Sequence, residues 1–438
     1  MGDYLPSTKE QQQEMLEAIG LKSLEDLYAY IPKDLILKDG PNIPDGKSEI
    51  EVRRMMTEMA SKNKVFSSIF RGAGAYHHYI PAEVSAVVSK ETFVTSYTPY
   101  QPEMSQGILQ SIFEYQTMIC ELTGMDVSNA SVYDGANAAA EAVAMCKDRK
   151  RTKTLVSGAS NPDVIDAIKT YCWAADTEME MIPVKDGVTD LDVLKEKMDS
   201  SVASVYIAYP NYFGILEDAQ KIGEIAHEGG AKYIMGVNPI ASAIIKTAGE
   251  CGADIAVGEG QPLGMGMGYG GPYLGFMAST TAMLRKLPGR IAGETTDDEG
   301  RRAFVLTLQA REQHIRREKA SSNVCSNQAL CAMTAAVYMA TMGPEGMKQV
   351  ATQSTSKAHY LASKLDKIGF KRVHQGEFFH EFVTSCPGDC QEILRYLEDH
   401  GVLGGLPVEE GILWCTTEMN TKADMDHLVA LIGEVCQS

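Results

Sequence analysis

Eight glycines fall within the eighteen residues Gly258-Glu-Gly-Gln-Pro-Leu-Gly-Met-Gly-Met-Gly-Tyr-Gly-Gly-Pro-Tyr-Leu-Gly275, and no lysine does. Such a loop lets backbone approach a bound molecule closely, but it offers no amine for a Schiff base. Residues Gly266-Met-Gly-Tyr-Gly-Gly271 match G-x-G-x-x-G formally. A dinucleotide fingerprint would join a first strand to a helix. This one comes late and runs into Pro272-Tyr-Leu-Gly-Phe-Met277, which reads as a strand, so a structural or site-lining loop fits better. Upstream, Tyr133-Asp-Gly-Ala-Asn-Ala-Ala-Ala-Glu-Ala142 sets Gly135 and small residues before a helix start. Free N–H groups there could hold an anion. Asp134 adds a negative charge at that point and reads more simply as an N-cap.

A second group of polar and aromatic residues lies earlier. Arg71, Tyr76, His77, His78 and Tyr79 precede Thr95-Ser-Tyr-Thr-Pro-Tyr-Gln-Pro-Glu103. Adjacent histidines point apart and no carboxylate–histidine pattern surrounds them, so no metal site is expected. Two prolines stiffen the segment from Tyr97 to Glu103. It either presents Tyr97, Tyr100 and Glu103 to a neighbouring surface or packs as an interdomain loop. Arg290, Arg311, Arg316 and Arg317 could bind a carboxylate or phosphate; more simply, they neutralise Glu312 and Glu318 at the surface.

Positioning these groups requires a scaffold. Residues 8–19 and 23–31 read as short helices of an arm, and a charged helix starts at Glu49. Residues 102–123 read as a long helix with Ile108, Ile112, Tyr115, Ile119 and Leu122 on one stripe. Residues 130–133 are short and extended, and 136–147 form an Ala-rich helix. Strands are then expected at 154–157, 178–184, 204–208, 232–237 and 254–257. Helices alternate with them at 163–171, 191–198, 219–228 and from Pro239. That alternation predicts right-handed βαβ units and a mostly parallel sheet covered on both faces. A helix over 345–368, strands at 370–374, 381–384 and 412–416, and helices at 389–400 and 422–435 form a smaller α+β domain. The expected division is an arm (1–80), a large α/β domain (81–342) and a small C-terminal domain (343–438). This order fits an α/β aspartate-aminotransferase-like fold, the fold type I of pyridoxal-phosphate enzymes.

In that fold an aspartate at a strand end holds the pyridine nitrogen protonated, making the ring an electron sink, and a lysine after the next strand holds the cofactor. Here the first position is Asn238, and Gln261 and Pro262 stand where the lysine belongs. Together with Asp134 and Gly135, these residues describe a degenerate cofactor site.

Composition narrows the remaining possibilities. The 438 residues carry 40 basic against 58 acidic side chains, a net charge of −18 that disfavours nucleic acid and anionic membranes. With 44% hydrophobic and 22% charged residues the chain is ordinary globular material. Ten cysteines are scattered; neither Cys386/Cys390 nor Cys325/Cys331 has zinc spacing, and buried reduced thiols are expected. No secretory signal, myristoylation signal or membrane-length apolar run is apparent, so a cytoplasmic location is expected.

Four segments carry a resemblance: Phe70-Arg-Gly-Ala-Gly-Ala-Tyr-His-His-Tyr-Ile-Pro81, Thr98-Pro-Tyr-Gln-Pro-Glu103, Gly258-Glu-Gly-Gln-Pro-Leu-Gly264 with Gly270-Gly-Pro-Tyr-Leu-Gly-Phe276, and Arg311-Glu-Gln-His-Ile-Arg-Arg-Glu-Lys-Ala320. Over its whole length the chain resembles the P proteins of the glycine cleavage system, in the first-subunit form of those split in two. Such a subunit keeps the fold without the lysine. The resemblance implies an α2β2 heterotetramer whose second subunit carries pyridoxal phosphate. Glycine would be decarboxylated there and its aminomethyl group passed to the lipoyl group of the H protein. It also implies that His78, Tyr97, Tyr100 and Glu103 act in trans at the partner's cofactor. Family members commonly have aspartate where this chain has Asn238, a departure of small weight in a subunit that binds no cofactor. Two alternatives stay open: a self-sufficient pyridoxal-phosphate lyase or transferase using Lys246 or Lys286, and a non-enzymatic scaffold.

Overall fold

The computed structural model describes residues 7–37, 40–96, 98–269, 271–324 and 328–437. By internal contacts the chain divides into two units, Met1–Lys64 and Val65–Ser438. The first holds α1 (Lys9–Ala18) and α2 (Glu49–Ala60). Each starts with a reciprocal cap: Thr8 with Gln11, and Ser48 with Glu51. The expected second helix is a short 3₁₀ turn, Leu24–Tyr28. Leu16 is buried in this unit, whereas Met15, Ile19 and Tyr30 are exposed.

Within the second unit, α3 (Gln106–Thr123) buries Ile108, Ile112, Tyr115 and Ile119 along one face and ends at Gly124, whose φ of 69° makes the left-handed cap. It starts later than the periodicity suggests, because residues 102–104 form a turn and the Gln106 side chain donates to the Pro102 carbonyl. The expected strand at 130–133 reduces to a bridge from Val132 to Gly275. The strand proper is β1 (Val127–Ser128). Next come α4 (Gly135–Cys146), β2 (Lys153–Ser157), α5 (Pro162–Ala174), β3 (Met179–Ile182), β4 (Val202–Tyr209), α6 (Ala219–Glu228), β5 (Lys232–Val237), β6 (Ile255–Glu259) and β7 (Gly275–Ser279).

The seven strands form one sheet in the order β1-β7-β6-β5-β4-β2-β3. Pairings from β3 across to β6 are parallel; β7 runs antiparallel to both β6 and β1. Strand β4 is buried along nearly its whole length, as a strand covered on both faces must be. Successive β–helix–β connections bring the carboxyl ends of β4, β5 and β6 to one edge, where ligand sites of open α/β sheets form. The helix expected from Pro239 is only the 3₁₀ turn Ala241–Ala243, because the Asn238 side chain accepts from the Ile240 and Ala241 N–H groups and closes a tight turn instead.

Helix α7 (Ala329–Lys367) is longer than expected and consists of two helices. Gly343, at φ 62° and ψ 177°, breaks it, and Pro344 starts the second half without needing an N–H partner. A three-stranded antiparallel sheet follows: β8 (Glu381–Thr384), β9 (Leu406–Val408) and β10 (Gly411–Cys415), in the order β8-β10-β9. Helices α8 (Cys390–Asp399) and α9 (Lys422–Gln437) complete the region. Phe370, Phe382, Leu397, Trp414 and Leu428 form its core. The expected strand at 370–374 survives only as a bridge between Arg372 and Thr384. Cys386 and Cys390 are disulfide-bonded, contrary to the expectation of reduced thiols throughout. The turn through Gly388, at φ 101°, brings their Cα atoms to 6.0 Å, within bridging range. The other described cysteines are unpaired.

Candidate functional site

A cavity of about 390 Å³ opens where β4, β5 and β6 end. Asn211, Asn238 and Glu259 reach it from those strand ends, and Asp134 and Gly135 from the start of α4. The segment 72–76 and the pair His380–Glu381 close it from the other side. Among the described residues lining it there is no lysine or arginine.

Asp134 is the N-cap of α4, accepting from the backbone N–H of Asn137 at 2.8 Å and from its side-chain amide at 2.8 Å. The next N–H, that of Gly135, donates to Glu259 at 2.9 Å. The other oxygen of Glu259 accepts from Gln261 N–H at 2.9 Å and Leu274 N–H at 3.0 Å. A carboxylate of the chain itself thus fills the anion position at this helix start. Burial pushes the Glu259 carboxyl up to about 7; the three N–H bonds pull against that, and the charge of Asp134 adds to it. Gly135 is required here, since an added Cβ would lie 2.9 Å from both the Cβ and the N of Glu259.

The other positions expected in the degenerate site are equally occupied. Asn238 accepts two backbone N–H bonds, and its amide nitrogen lies 3.5 Å from His380 Nε2. The Gln261 side chain accepts from Tyr76 N–H at 2.9 Å and donates to the carbonyls of Tyr76 and Met265. Pro262 is buried beside it. Neither alternative lysine lines the cavity: Lys246 is exposed and donates to Gln220 at 3.2 Å, and Lys286 is exposed. These residues do not fit pyridoxal phosphate: no amine stands among the described lining residues, and the Gly135 N–H at the helix start is already taken by Glu259.

Two carboxylates tie the segment 72–79 to the smaller sheet. Glu381 accepts from Ala73 N–H at 2.6 Å and from Tyr76 O–H at 2.8 Å. Burial pushes it up to about 7 against those two bonds. Glu418 accepts from Tyr79 N–H at 2.6 Å and pairs with His78 Nδ1 at 2.7 Å. Burial opposes its ionisation, but the contact with His78 and the N–H bond hold it below the usual carboxylate range. His380, whose ring centroid lies 4.6 Å from that of Tyr76, is depressed well below the ordinary imidazole range by burial and by His78.

His78 is therefore inside the chain's own packing, with Nε2 buried and unpartnered, while His77 is exposed. Tyr100 is 7% exposed, with the Arg290 guanidinium 5.5 Å from its ring centre. Glu103 is exposed, and Tyr97 lies outside the described residues. Arg290 pairs with Glu312; Glu312 is buried and Arg290 half-buried, rather than both lying at the surface as expected. Arg311 donates to the carbonyls of Leu287 and Gly289. Arg316 and Arg317 are exposed. Glu259, His380, Glu381 and Glu418 are site residues that the sequence reading missed. The available signal was a glutamate at the end or start of an otherwise apolar, buried strand.

The glycine cleavage system P-protein family model matches residues 2–432. The chain is 46% identical over 440 residues to the probable glycine dehydrogenase (decarboxylating) subunit 1 of Carboxydothermus hydrogenoformans, covering 98% of this chain and 99% of the relative. It is 44% identical over 444 residues to the protein of the same name from Desulfitobacterium hafniense, with 99% and 100% covered. It superposes on the crystal structure of an inhibitor-bound glycine decarboxylase (P-protein) of the glycine cleavage system with a TM-score of 0.93. That match is 40% identical and covers 99% of this chain and 100% of that one. A sphingosine-1-phosphate lyase from Burkholderia pseudomallei, 13% identical with a TM-score of 0.68 and 94% of each chain covered, shares the fold.

Proposed function

The chain belongs to the glycine cleavage system P-protein family, and we infer that it is the subunit of glycine dehydrogenase (decarboxylating) that does not hold the cofactor. The observation that carries this reading is the cavity at the strand ends: it has the place and size of a cofactor site but no amine, and Glu259 fills its anion position. Pyridoxal phosphate, held by a second P-protein subunit in an α2β2 assembly, supplies the electron sink for loss of carbon dioxide from glycine. The aminomethyl group then passes to the lipoyl group of the H protein, whose disulfide is reduced as it accepts it. A cytoplasmic location and the division at residues 80 and 342 go with this reading.

This chain's part is to complete the site from outside. Glu103 faces outward on the segment carrying Tyr97, and Tyr100 anchors that segment by packing inward against Arg290. Glu418 pairs with His78 and accepts from the neighbouring Tyr79 N–H, fixing that stretch of backbone. We propose that Tyr97 and Glu103 act at the partner's site, with the inward-packed Tyr100 and His78 positioning the segments beside them.

Co-expression with the cofactor-bearing subunit tests the reading. Glycine-dependent bicarbonate exchange with lipoylated H protein should appear with the pair and with neither subunit alone. The isolated chain mixed with pyridoxal phosphate should stay colourless and give no borohydride-reducible adduct. A stoichiometric adduct at Lys246 or Lys286 would establish the self-sufficient alternative instead.

A further inference from the structure

We propose that Glu259 is the specificity-determining residue of this cavity: its carboxylate sits in the seat that a phosphate would occupy and bars phosphate-bearing ligands from the pocket. Helix α4 has twelve residues, enough to present a positive N-terminal end, and Gly135 is its first residue. An unoccupied N–H at that place, beside a cavity at the carboxyl edge of a parallel sheet, is where a phosphate group binds. Glu259 intercepts it. One oxygen takes the Gly135 N–H, and the other takes the N–H groups of Gln261 and Leu274, so three backbone donors from separate segments converge on one carboxylate.

Geometry and charge both enforce the exclusion. The start of α4 presses on β6 so closely that even a methyl group on Gly135 would meet the Glu259 backbone. That approach sets the Glu259 carboxylate directly on the Gly135 N–H, so no phosphate can take that donor while the glutamate stays. Around the cavity stand Asp134, Asp163, Glu259 and Glu381, and among its described lining residues no lysine or arginine offsets them. A phosphate ester carrying about two negative charges would enter a wall of like charge in a medium of reduced dielectric. The pocket is therefore built for a ligand without phosphate, or for none.

Shortening Glu259 should turn the occupied seat into a vacant one. In Glu259→Ala the three N–H groups lose their acceptor, and that of Gly135 is left at the cavity wall. Binding of inorganic phosphate and of pyridoxal phosphate would be measured by calorimetry on the full chain, at about pH 8, where Glu259 is ionised. Phosphate affinity should rise at least about tenfold over wild type, the scale expected for a helix terminus with charge-assisted N–H bonds. Glu259→Ser keeps the test open should the alanine variant fail to fold, and a melting curve would establish that each variant is folded. Folded variants that bind phosphate no more tightly than wild type would overturn the assignment. Because this rests on the reading that the cofactor belongs to the partner, the two failures must be separable. A Schiff base on wild-type Lys246 or Lys286 refutes that reading, whereas an unresponsive Glu259 variant on a colourless wild type refutes the seat alone.

Discussion

Replacing Glu381 by glutamine should alter how the stability of this protein depends on pH, with a sign opposite to that of most carboxylates. The side chain is 6% exposed and accepts from Ala73 N–H and Tyr76 O–H, yet burial pushes its folded pKa up to about 7, from an ordinary 4.5. The folded state therefore keeps the proton longer than the unfolded chain does. Below the unfolded value both forms are protonated and Glu381 costs nothing. As pH rises from 4.5 towards 7 the unfolded chain releases the proton first, and stability falls. The difference of 2.5 units corresponds to about 3 kcal/mol at full development. Roughly 2 kcal/mol of that falls between about pH 5.5 and pH 8. Glutamine does not titrate and preserves the acceptor for Ala73. Thermal unfolding of both proteins across that interval isolates this one group from all the others that titrate there. For 438 residues the unfolding entropy makes 2 kcal/mol worth about 2 °C, so the melting temperature of the variant should gain about that much on wild type by pH 8. A difference between the two proteins that stays constant across the interval would refute the reasoning, because Glu381 would then ionise alike in folded and unfolded chains.

Two further outcomes follow from the same geometry. Gly214 has φ 83°, and a Cβ there would lie 1.9 Å from the Glu381 carbonyl oxygen; Gly214→Ala should cost about 3 kcal/mol or more, read as a lower urea midpoint, and an unchanged midpoint would show that the backbone can shift freely. Glu103→Gln should slow glycine decarboxylation by the reconstituted pair about 10²- to 10³-fold while assembly and the partner's cofactor spectrum stay normal; wild-type turnover in that variant would reduce the segment to packing.

Strand and helix alternation was readable because it is written locally. Strand β5 and helix α6 run between the same residues in sequence and structure, each being an apolar run or stripe with a clear stop. The long helix was only half visible, since Gly343-Pro344 looks like a boundary although helix continues on both sides. At the site, the absence of a lysine from residues 258–275 can be read from the sequence directly. What fills its place cannot. The partner of Gly135 lies 124 residues away in sequence, and that of Tyr76 lies 305 residues away. Such pairs exist only once the sheet has brought strand ends together; a glutamate at the end or start of an apolar strand signals that Glu259 and Glu381 are buried, but not what they bind.

The three side-chain bonds of Gln261 make the loss of the lysine hard to reverse. Its amide fastens the backbone of Tyr76 in both directions and holds the Met265 carbonyl. A lysine introduced there can donate but cannot accept, so the Tyr76 N–H would lose its acceptor in a buried place. The new ammonium would also have to leave Met265 and Tyr76 before it could meet an aldehyde, loosening the very segment that walls the cavity. Position 261 is a fastener for its surroundings, not a reactive group. Return to chemistry would need several compensating changes at once, each harmful alone. On the proposed reading, the division of labour between two subunits is in this sense a ratchet, maintained by ordinary hydrogen bonds rather than by the absence of one residue.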